Sequence, residues 1–135
     1  NYRLGVIGNC DFSIQGGSVD AAFISITNFS IVPNNGNLTG EEYNIWAGDN
    51  VTKLGETIAQ SEGYITSTNA NVNADGIYYT DMGEATYLSA FGDSGGPVYL
   101  TDSKKVIGIH KGSTAFTSIF VKVDNIASKL NAHFN

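Results

Sequence analysis

The chain has 135 residues, of which 41% are hydrophobic and 15% charged, so it suits one folded globular unit and excludes a disordered chain. The formal net charge is -6 and the seven Lys and Arg residues are scattered, which argues against a nucleic-acid partner. No apolar run approaches the roughly 18 residues of a membrane span, so we expect no membrane partner either.

Short strands separated by turns are predicted along most of the chain. Residues 2–8 and 20–27 are rich in β-branched and aromatic residues, with a turn at 15–18 between them. The sequence Pro-Asn-Asn-Gly-Asn at 33–37 is the strongest break, and it predicts a domain of residues 1–32 followed by one of residues 33–135. Further strands are predicted at residues 43–47, 51–54, 57–67, 70–80, 84–88, 97–101, 105–110 and 116–122.

The end of the chain follows a different pattern. Asp124 can cap a helix, and apolar residues recur on either side of it at helical spacing, namely Val123, Ile126, Ala127, Leu130 and Phe134. Many short strands with Gly and Asn turns favour a sandwich or a barrel. The predicted fold class is therefore all-β with one C-terminal α-helix.

Cys10 is the only cysteine in the sequence. We expect it to be a buried small hydrophobic residue, and the alternative is a disulfide to a segment upstream of Asn1. Asn1 is not followed by a signal-peptide pattern, so we expect a processed or trimmed chain.

The most informative segment is residues 91–98, Phe-Gly-Asp-Ser-Gly-Gly-Pro-Val. A nucleophilic serine must stand on a tight turn with its hydroxyl exposed and with backbone N–H groups nearby to bind the oxygen of a tetrahedral intermediate. Glycines permit the backbone angles of such a turn, and Pro97 can begin the next strand. A structural turn in an unrelated β protein is the alternative interpretation.

The run Gly-Asp-Ser-Gly-Gly-Pro at 92–97 resembles the nucleophile loop of the chymotrypsin-like serine proteases. Residues 17–24, Gly-Ser-Val-Asp-Ala-Ala-Phe-Ile, resemble the segment around the catalytic aspartate of bacterial-type members. Residues 53–65 and 106–113 and the terminal helix also resemble the family, so the resemblance covers about residues 17–135. It implies a chymotrypsin-like double β-barrel, with the second barrel complete and the first partial.

The resemblance also implies a role for each matched residue. Ser94 would attack the scissile carbonyl, Asp20 would orient a catalytic histidine, and the N–H groups of Gly92 and Ser94 would form the oxyanion hole. Asp93 would anchor the loop through a buried ion pair. The implied substrate is a peptide or protein, no cofactor or metal is expected, and the location would be secreted or extracellular.

The catalytic histidine is where the chain departs from the family. The family order is histidine, aspartate, serine, whereas His110 and His133 both follow Ser94. One explanation is that the chain is a piece of a protease whose upstream segment or chain carries the histidine. The alternatives are an inactive pseudo-protease that acts as a binding module, or a fold-level resemblance without activity. A sugar-binding β domain is a further rival, suggested by the Asn, Thr and Tyr content.

Specificity is predicted from two stretches near Ser94. Leu88 stands where trypsin-like members carry a carboxylate, so cleavage after Lys or Arg is not expected. Residues 108–112, Gly-Ile-His-Lys-Gly, resemble the pocket strand of bacterial glutamyl endopeptidases. The resemblance implies that His110, Lys111 and Gly112 face the substrate and that Ser89 supplies a hydroxyl for an acidic side chain.

The competing interpretation is a pocket for apolar residues, lined by Leu88 and Phe91. His110 would then be a packed wall residue without a ligand role.

Overall fold

The computed structural model describes residues 8–28 and 37–133. Strands β1 (Gly8–Gly16) and β2 (Val19–Ile26) form a two-stranded antiparallel sheet. Six more strands form a closed antiparallel barrel in the order β3-β4-β5-β8-β7-β6, with bounds β3 Asn50–Leu54, β4 Gln60–Ala74, β5 Ile77–Ala85, β6 Pro97–Leu100, β7 Val106–Ser113 and β8 Ser118–Lys122. Helix α1 (Val123–Leu130) follows β8 directly. This architecture confirms the predicted all-β fold with a closed second barrel and a C-terminal helix.

Three apolar clusters hold the described elements together, the smallest of which contains Leu38, Tyr99 and Val106. The barrel interior contains Val51, Ile65, Ala85, Tyr87, Val98, Ile107 and Phe120. The second cluster joins the β1–β2 sheet to β5, β8 and α1, and contains Val19, Tyr79, Met82, Ile119 and Val121, with Ile126 of the helix packed against it. Successive strand residues face opposite sides, so β8 is buried on both faces, with Phe120 directed inward and its two neighbours outward.

The long strand β4 joins the strand predicted at 57–67 to the first half of the one predicted at 70–80, and residues 77–80 belong to β5 instead. Strand β4 continues past residue 67 because register irregularities between Ile65 and Val72 absorb the mismatch with β5. The hairpin turn falls at Asp75 and Gly76, whose φ angles of 52° and 79° are those of a tight two-residue β-turn.

The strand predicted at 43–47 is wrong. The N–H of Asn44 donates to the carboxylate of Glu42, and the N–H of Trp46 donates to the carboxylate of Asp49. Because nearby carboxylates satisfy these donors, the segment needs no partner strand.

Strand β1 was not predicted, although residues 9–15 alternate polar and apolar side chains as a strand does. The strand predicted at 2–8 lies outside the described residues except for Gly8. Cys10 is exposed and its thiol is free, so the expectation that it is buried is wrong. The break at 33–37 lies almost entirely outside the described residues, and the division at 32/33 stays a prediction.

The start of α1 also differs from the expectation. Lys122 stands at the N-cap without a side-chain hydrogen bond to the helix, and Asp124 lies in the first turn. There its negative charge is favourable beside the helix N-terminus, but it does not cap the helix. Across residues 8–28 and 37–133, the structure contains no helix long and apolar enough to cross a membrane.

Candidate active site

The segment that predicts a nucleophile forms a tight loop between β5 and β6. Gly92 and Gly95 have φ angles of +102° and +92°, a backbone region that residues with a side chain rarely adopt. A Cβ atom at Gly96 would lie 1.9 Å from the carbonyl oxygen of Leu54, so only glycine fits where the loop passes the end of β3. The N–H of Gly95 donates to the carbonyl of His110 at 2.8 Å, which fastens the loop to β7.

Asp93 is buried under this loop and pairs with Lys53 of β3. The Lys53 Nζ lies 2.6 Å from Asp93 Oδ2, and both side chains are 0% exposed. Backbone N–H groups of Thr57, Ile58 and Ala90 also donate to the carboxylate, at 2.8, 3.0 and 3.0 Å. Burial raises the pKa of Asp93, but the hydrogen bonds from Lys53 and the backbone outweigh it and hold the pKa well below its ordinary value. The buried ion pair expected of Asp93 is therefore present.

Ser94 is exposed, and its Oγ donates to the carbonyl oxygen of Lys111 at 2.8 Å. The pairing of β7 with β8 shifts register between His110 and Gly112, so Lys111 lies in a bulge. Among the described residues, no acceptor binds the N–H of Gly92 or of Ser94. Two free N–H groups beside an exposed hydroxyl are what an oxyanion hole requires, and that role stays a prediction.

The carboxylate of Asp20, near the start of β2, contacts the side chain of Lys111. Asp20 Oδ2 is 2.5 Å from Lys111 Nζ and 3.5 Å from the Tyr79 hydroxyl, and the ammonium lies 4.1 Å from the centroid of the Tyr79 ring. Partial burial lowers the pKa of Lys111, but the hydrogen bonds to Asp20 and Tyr79 raise it above its usual value. The ammonium therefore stays protonated and cannot act as a general base for Ser94.

Lys111 contacts both of the predicted catalytic residues. Its carbonyl oxygen accepts from Ser94 and its ammonium binds Asp20. Both Asp20 and Ser94 therefore lie within reach of a single residue of β7, in the same region of the molecule. The Lys111 ammonium is held by Asp20.

His110 is buried against Tyr87. Its Nδ1 lies 2.9 Å from the Tyr87 hydroxyl, and the two rings meet edge to face with centroids 5.5 Å apart. Burial and the nearby charge of Lys53 lower the pKa of His110 to about 4, while Asp93 acts in the opposite direction. Burial also raises the pKa of the Tyr87 hydroxyl far above its usual value, so both groups are neutral at pH 7.

The hydrogen bond between the two rings assigns a tautomer to His110. In the described part of the chain, the Tyr87 hydroxyl has no other hydrogen-bond partner. Donation by the hydroxyl is the arrangement that leaves no buried phenol proton unpaired, and we therefore assign Nδ1 as the acceptor and Nε2 as the nitrogen that carries the ring proton. Nε2 is then the ring atom of His110 able to donate a hydrogen bond.

The remaining predicted pocket residues are placed differently. Ser89 Oγ lies 3.0 Å from Ser118 Oγ, at the foot of β8. The side chains of Leu88 and Phe91 are 71% and 102% exposed, so neither packs as a wall of an apolar pocket in this structure.

Two open clefts lie beside Ser94 and Lys111. A cleft of 370 Å³ is bordered by Ser94 and by residues 54–56, and a second of 430 Å³ is bordered by Lys111, Gly112 and residues 72–75. Both clefts are open to solvent.

The sequence did not indicate three residues that hold this site: Lys53, Tyr87 and Thr57. A lysine within the apolar strand Val-Thr-Lys-Leu at 51–54 was the one available signal, because a buried lysine requires a carboxylate partner. Tyr87 and Thr57 contact residues that are distant in sequence, His110 and Phe91, and no local sequence pattern predicts such contacts. Within the described residues, no group of three or more His, Cys, Asp or Glu side chains is placed to hold a metal ion.

Solved structures share this fold over most of the chain. Cellulomonas bogoriensis chymotrypsin superposes with a TM-score of 0.74 at 21% identity, covering 91% of this chain and 72% of its own. A glutamic acid specific serine protease that uses a histidine triad in substrate binding gives 0.79 at 24% identity, covering 97% and 75%. Thermobifida fusca protease A gives 0.72 at 26% identity, covering 84% and 67%.

Sequence comparison agrees with the shared fold. Glutamyl endopeptidase 2 of Streptomyces griseus is 39% identical over 72 residues, which are 53% of this chain but 37% of that protein's own length. The family model named Trypsin matches residues 25–130. Because this match spans most of the chain, the protein belongs to the trypsin family of serine proteases, with a chymotrypsin-like fold.

Proposed function

We propose that this chain carries the nucleophile of a serine endopeptidase, in which Ser94 attacks a peptide carbonyl and forms an acyl-enzyme. The observation that carries the proposal is the anchored loop, in which buried Asp93 holds a turn that exposes the Ser94 hydroxyl and leaves the N–H groups of Gly92 and Ser94 free. Preorganised donors of this kind stabilise the negative oxygen of the tetrahedral intermediate. The substrate would be a peptide or protein, met outside the cell.

The general base is proposed to come from an upstream segment outside these 135 residues. Serine at its free pKa is a weak nucleophile and needs an adjacent base. His110 is buried with Nδ1 on Tyr87, and His133 lies beyond α1 with Nδ1 3.2 Å from Glu41 Oε1. Neither contacts Asp20, whose carboxylate binds Lys111. An imidazole arriving from upstream would take the Asp20 carboxylate from Lys111.

The β1–β2 sheet supports this view of an incomplete first barrel. Phe12 and Phe23 stack with centroids 5.4 Å apart on its surface, and Ile24 and Ile26 are also exposed. Neighbouring residues of a strand face opposite sides, so these exposed apolar side chains lie on both faces of the sheet. Exposed apolar surface marks interaction sites, and further strands that complete the first barrel would cover it and present the histidine.

Labelling by a fluorophosphonate tests the proposed nucleophile and base together. We expect the protein expressed from its complete gene to be labelled at Ser94, Ser94→Ala to be unlabelled, and the isolated 135-residue chain to react at background level. Equal labelling of the isolated chain would reject the external base. If the complete protein folds but is not labelled, the proposed endopeptidase function is rejected.

A complete protein that folds but is not labelled would favour the alternative, an inactive pseudo-protease that serves as a binding module. One observation favours that alternative, since the Ser94 hydroxyl and the Asp20 carboxylate both bind Lys111 in this chain.

We further propose a preference for cleavage after acidic residues, based on His110. Its Nε2–H can donate to a carboxylate without either ring changing its charge, and the Tyr87 hydroxyl holds the tautomer that allows this. A hydrogen bond to a charged group is worth about 1.5–3 kcal/mol, which corresponds to roughly 10- to 160-fold in kcat/KM. Two of the similar proteins are named for glutamate or glutamyl specificity, which supports the same preference.

A panel of peptides that differ only in the residue before the scissile bond tests this preference. In the complete protein we expect faster cleavage after Glu than after Gln, Phe or Leu. The variant Tyr87→Phe keeps the ring but removes the hydroxyl, and it is expected to reduce the ratio of Glu to Gln cleavage. Equal or faster cleavage after Phe or Leu would reject the acidic preference.

A further inference from the structure

Thr57, in the connection between β3 and β4, holds the nucleophile loop at two points. Its Oγ1 donates to the carbonyl oxygen of Phe91 at 2.7 Å, and its N–H donates to Asp93 Oδ1 at 2.8 Å. The second bond uses the backbone and belongs to the buried Asp93 cluster. The first bond depends on the hydroxyl of this residue and contributes nothing to the ion pair.

The bond from the hydroxyl fixes the orientation of one particular peptide group. The carbonyl of Phe91 and the N–H of Gly92 belong to the same peptide plane and point in opposite directions. With the carbonyl oxygen held by Thr57, the Gly92 N–H points in the opposite direction within the peptide plane, and no acceptor among the described residues binds it.

Without the hydroxyl this peptide has freedom to rotate. Gly92 has a φ of +102° and no side chain to resist rotation. A Cβ atom there would lie 2.7 Å from Thr57 Oγ1, so the hydroxyl packs directly against the glycine. A rotated peptide would present the Phe91 carbonyl oxygen where the Gly92 N–H had been, and an oxygen there repels the oxyanion.

We propose that Thr57 is a positioning residue for the oxyanion hole, its hydroxyl keeping the Phe91–Gly92 peptide in the orientation that leaves the Gly92 N–H free. The inference rests on the proposed endopeptidase function, and Thr57 acts through Gly92 without touching the substrate. The role belongs to the hydroxyl, so serine at this position should serve and valine, of nearly the same shape, should not.

The kinetic test compares Thr57→Val and Thr57→Ser with Thr39→Val. Thr39 is the control, because its Oγ1 also donates to a carbonyl oxygen, that of Ser103 at 2.8 Å, while its N–H donates to the backbone carbonyl of Lys104 instead of a carboxylate. In the complete protein we expect Thr57→Val to lower kcat by about 10- to 100-fold, somewhat less than removal of an oxyanion donor, with KM within about twofold. Affinity for a peptide boronate should fall in parallel. Thr57→Ser should restore both, and Thr39→Val should change neither.

A raised KM with unchanged kcat, or an equal loss in Thr57→Ser, would overturn the proposal while the endopeptidase function stands. An inactive parent protein would reject the endopeptidase function itself. The isolated ¹⁵N-labelled chain then still decides the orientation. We expect one sharp Gly92 amide signal in the parent chain and in Thr57→Ser, and a broadened or doubled one in Thr57→Val. An unchanged sharp signal in Thr57→Val would show that the hydroxyl does not hold the peptide.

Discussion

Lowering the pH should destabilise this fold specifically through His110. The residue is 2% exposed, and burial with the charge of Lys53 lowers its pKa from 6.5 to about 4. In the unfolded chain the imidazole recovers its ordinary pKa and takes up a proton first. Between these two pKa values the unfolded state therefore binds more protons than the folded state, and stability falls as the pH falls.

The magnitude follows from the difference between the two pKa values. Each pKa unit corresponds to about 1.36 kcal/mol, so a lowering from 6.5 to about 4 costs about 3 kcal/mol once the pH has passed below both values. The loss begins near pH 7 and is nearly complete near pH 4. It is a large fraction of the free energy of unfolding of an ordinary domain, which is about 5–15 kcal/mol.

Urea unfolding of the chain between pH 7.5 and 4 measures this loss. The parent is compared with His110→Gln and with His133→Gln, an exposed histidine that serves as the control. We expect the parent to lose about 3 kcal/mol more than His110→Gln over this range, whatever the absolute stability of the variant. His133→Gln should follow the parent. Parallel curves for the parent and His110→Gln would refute a neutral, buried His110.

Two substitutions in the loop supports are also testable by urea unfolding. Lys53→Met removes the cation that pairs with the buried Asp93 carboxylate, and it is expected to lower the free energy of unfolding by about 3–5 kcal/mol. The double variant Lys53→Met/Asp93→Asn should recover part of that loss. Full stability of Lys53→Met would contradict the ion pair. Gly96→Ala places a Cβ 1.9 Å from Leu54 O and is expected to cost at least about 1–3 kcal/mol, whereas Gly112→Ala, with nothing within 4 Å, should cost less.

The fold was predictable where the local pattern and the tertiary structure agree. The spacing of apolar residues from Val123 onward predicted α1, and the short runs at 51–54 and 97–101 predicted β3 and β6. The strand prediction was wrong where side-chain carboxylates, instead of a partner strand, accept hydrogen bonds from the backbone N–H groups. Residues 43–47 carry the composition of a strand, but carboxylates of Glu42 and Asp49 bind their N–H groups.

The part of the candidate site that could be predicted is the short segment 91–98, which contains the nucleophile and its glycines. The glycines around Ser94 are required by backbone angles and close approaches, and a sequence records such requirements directly. The partners of the loop could not be predicted in this way. Lys53, Thr57 and Lys111 are 17 to 40 residues from the loop residues they bind, and ordinary composition surrounds them.

Closure of the barrel brings the nucleophile loop and its distant partners together. Strand β3 pairs with β6, through partners that include Lys53 and Val98, and this pairing brings the Lys53 ammonium under the loop that precedes β6. Strand β7 pairs with the other side of β6 and carries the Lys111 carbonyl to Ser94. The loop is thus held from both neighbours of the strand that it begins. A change that opened the β3–β6 seam would remove the partner of Asp93 and release the loop, so the geometry around Ser94 depends on the closed barrel as much as on its own glycines.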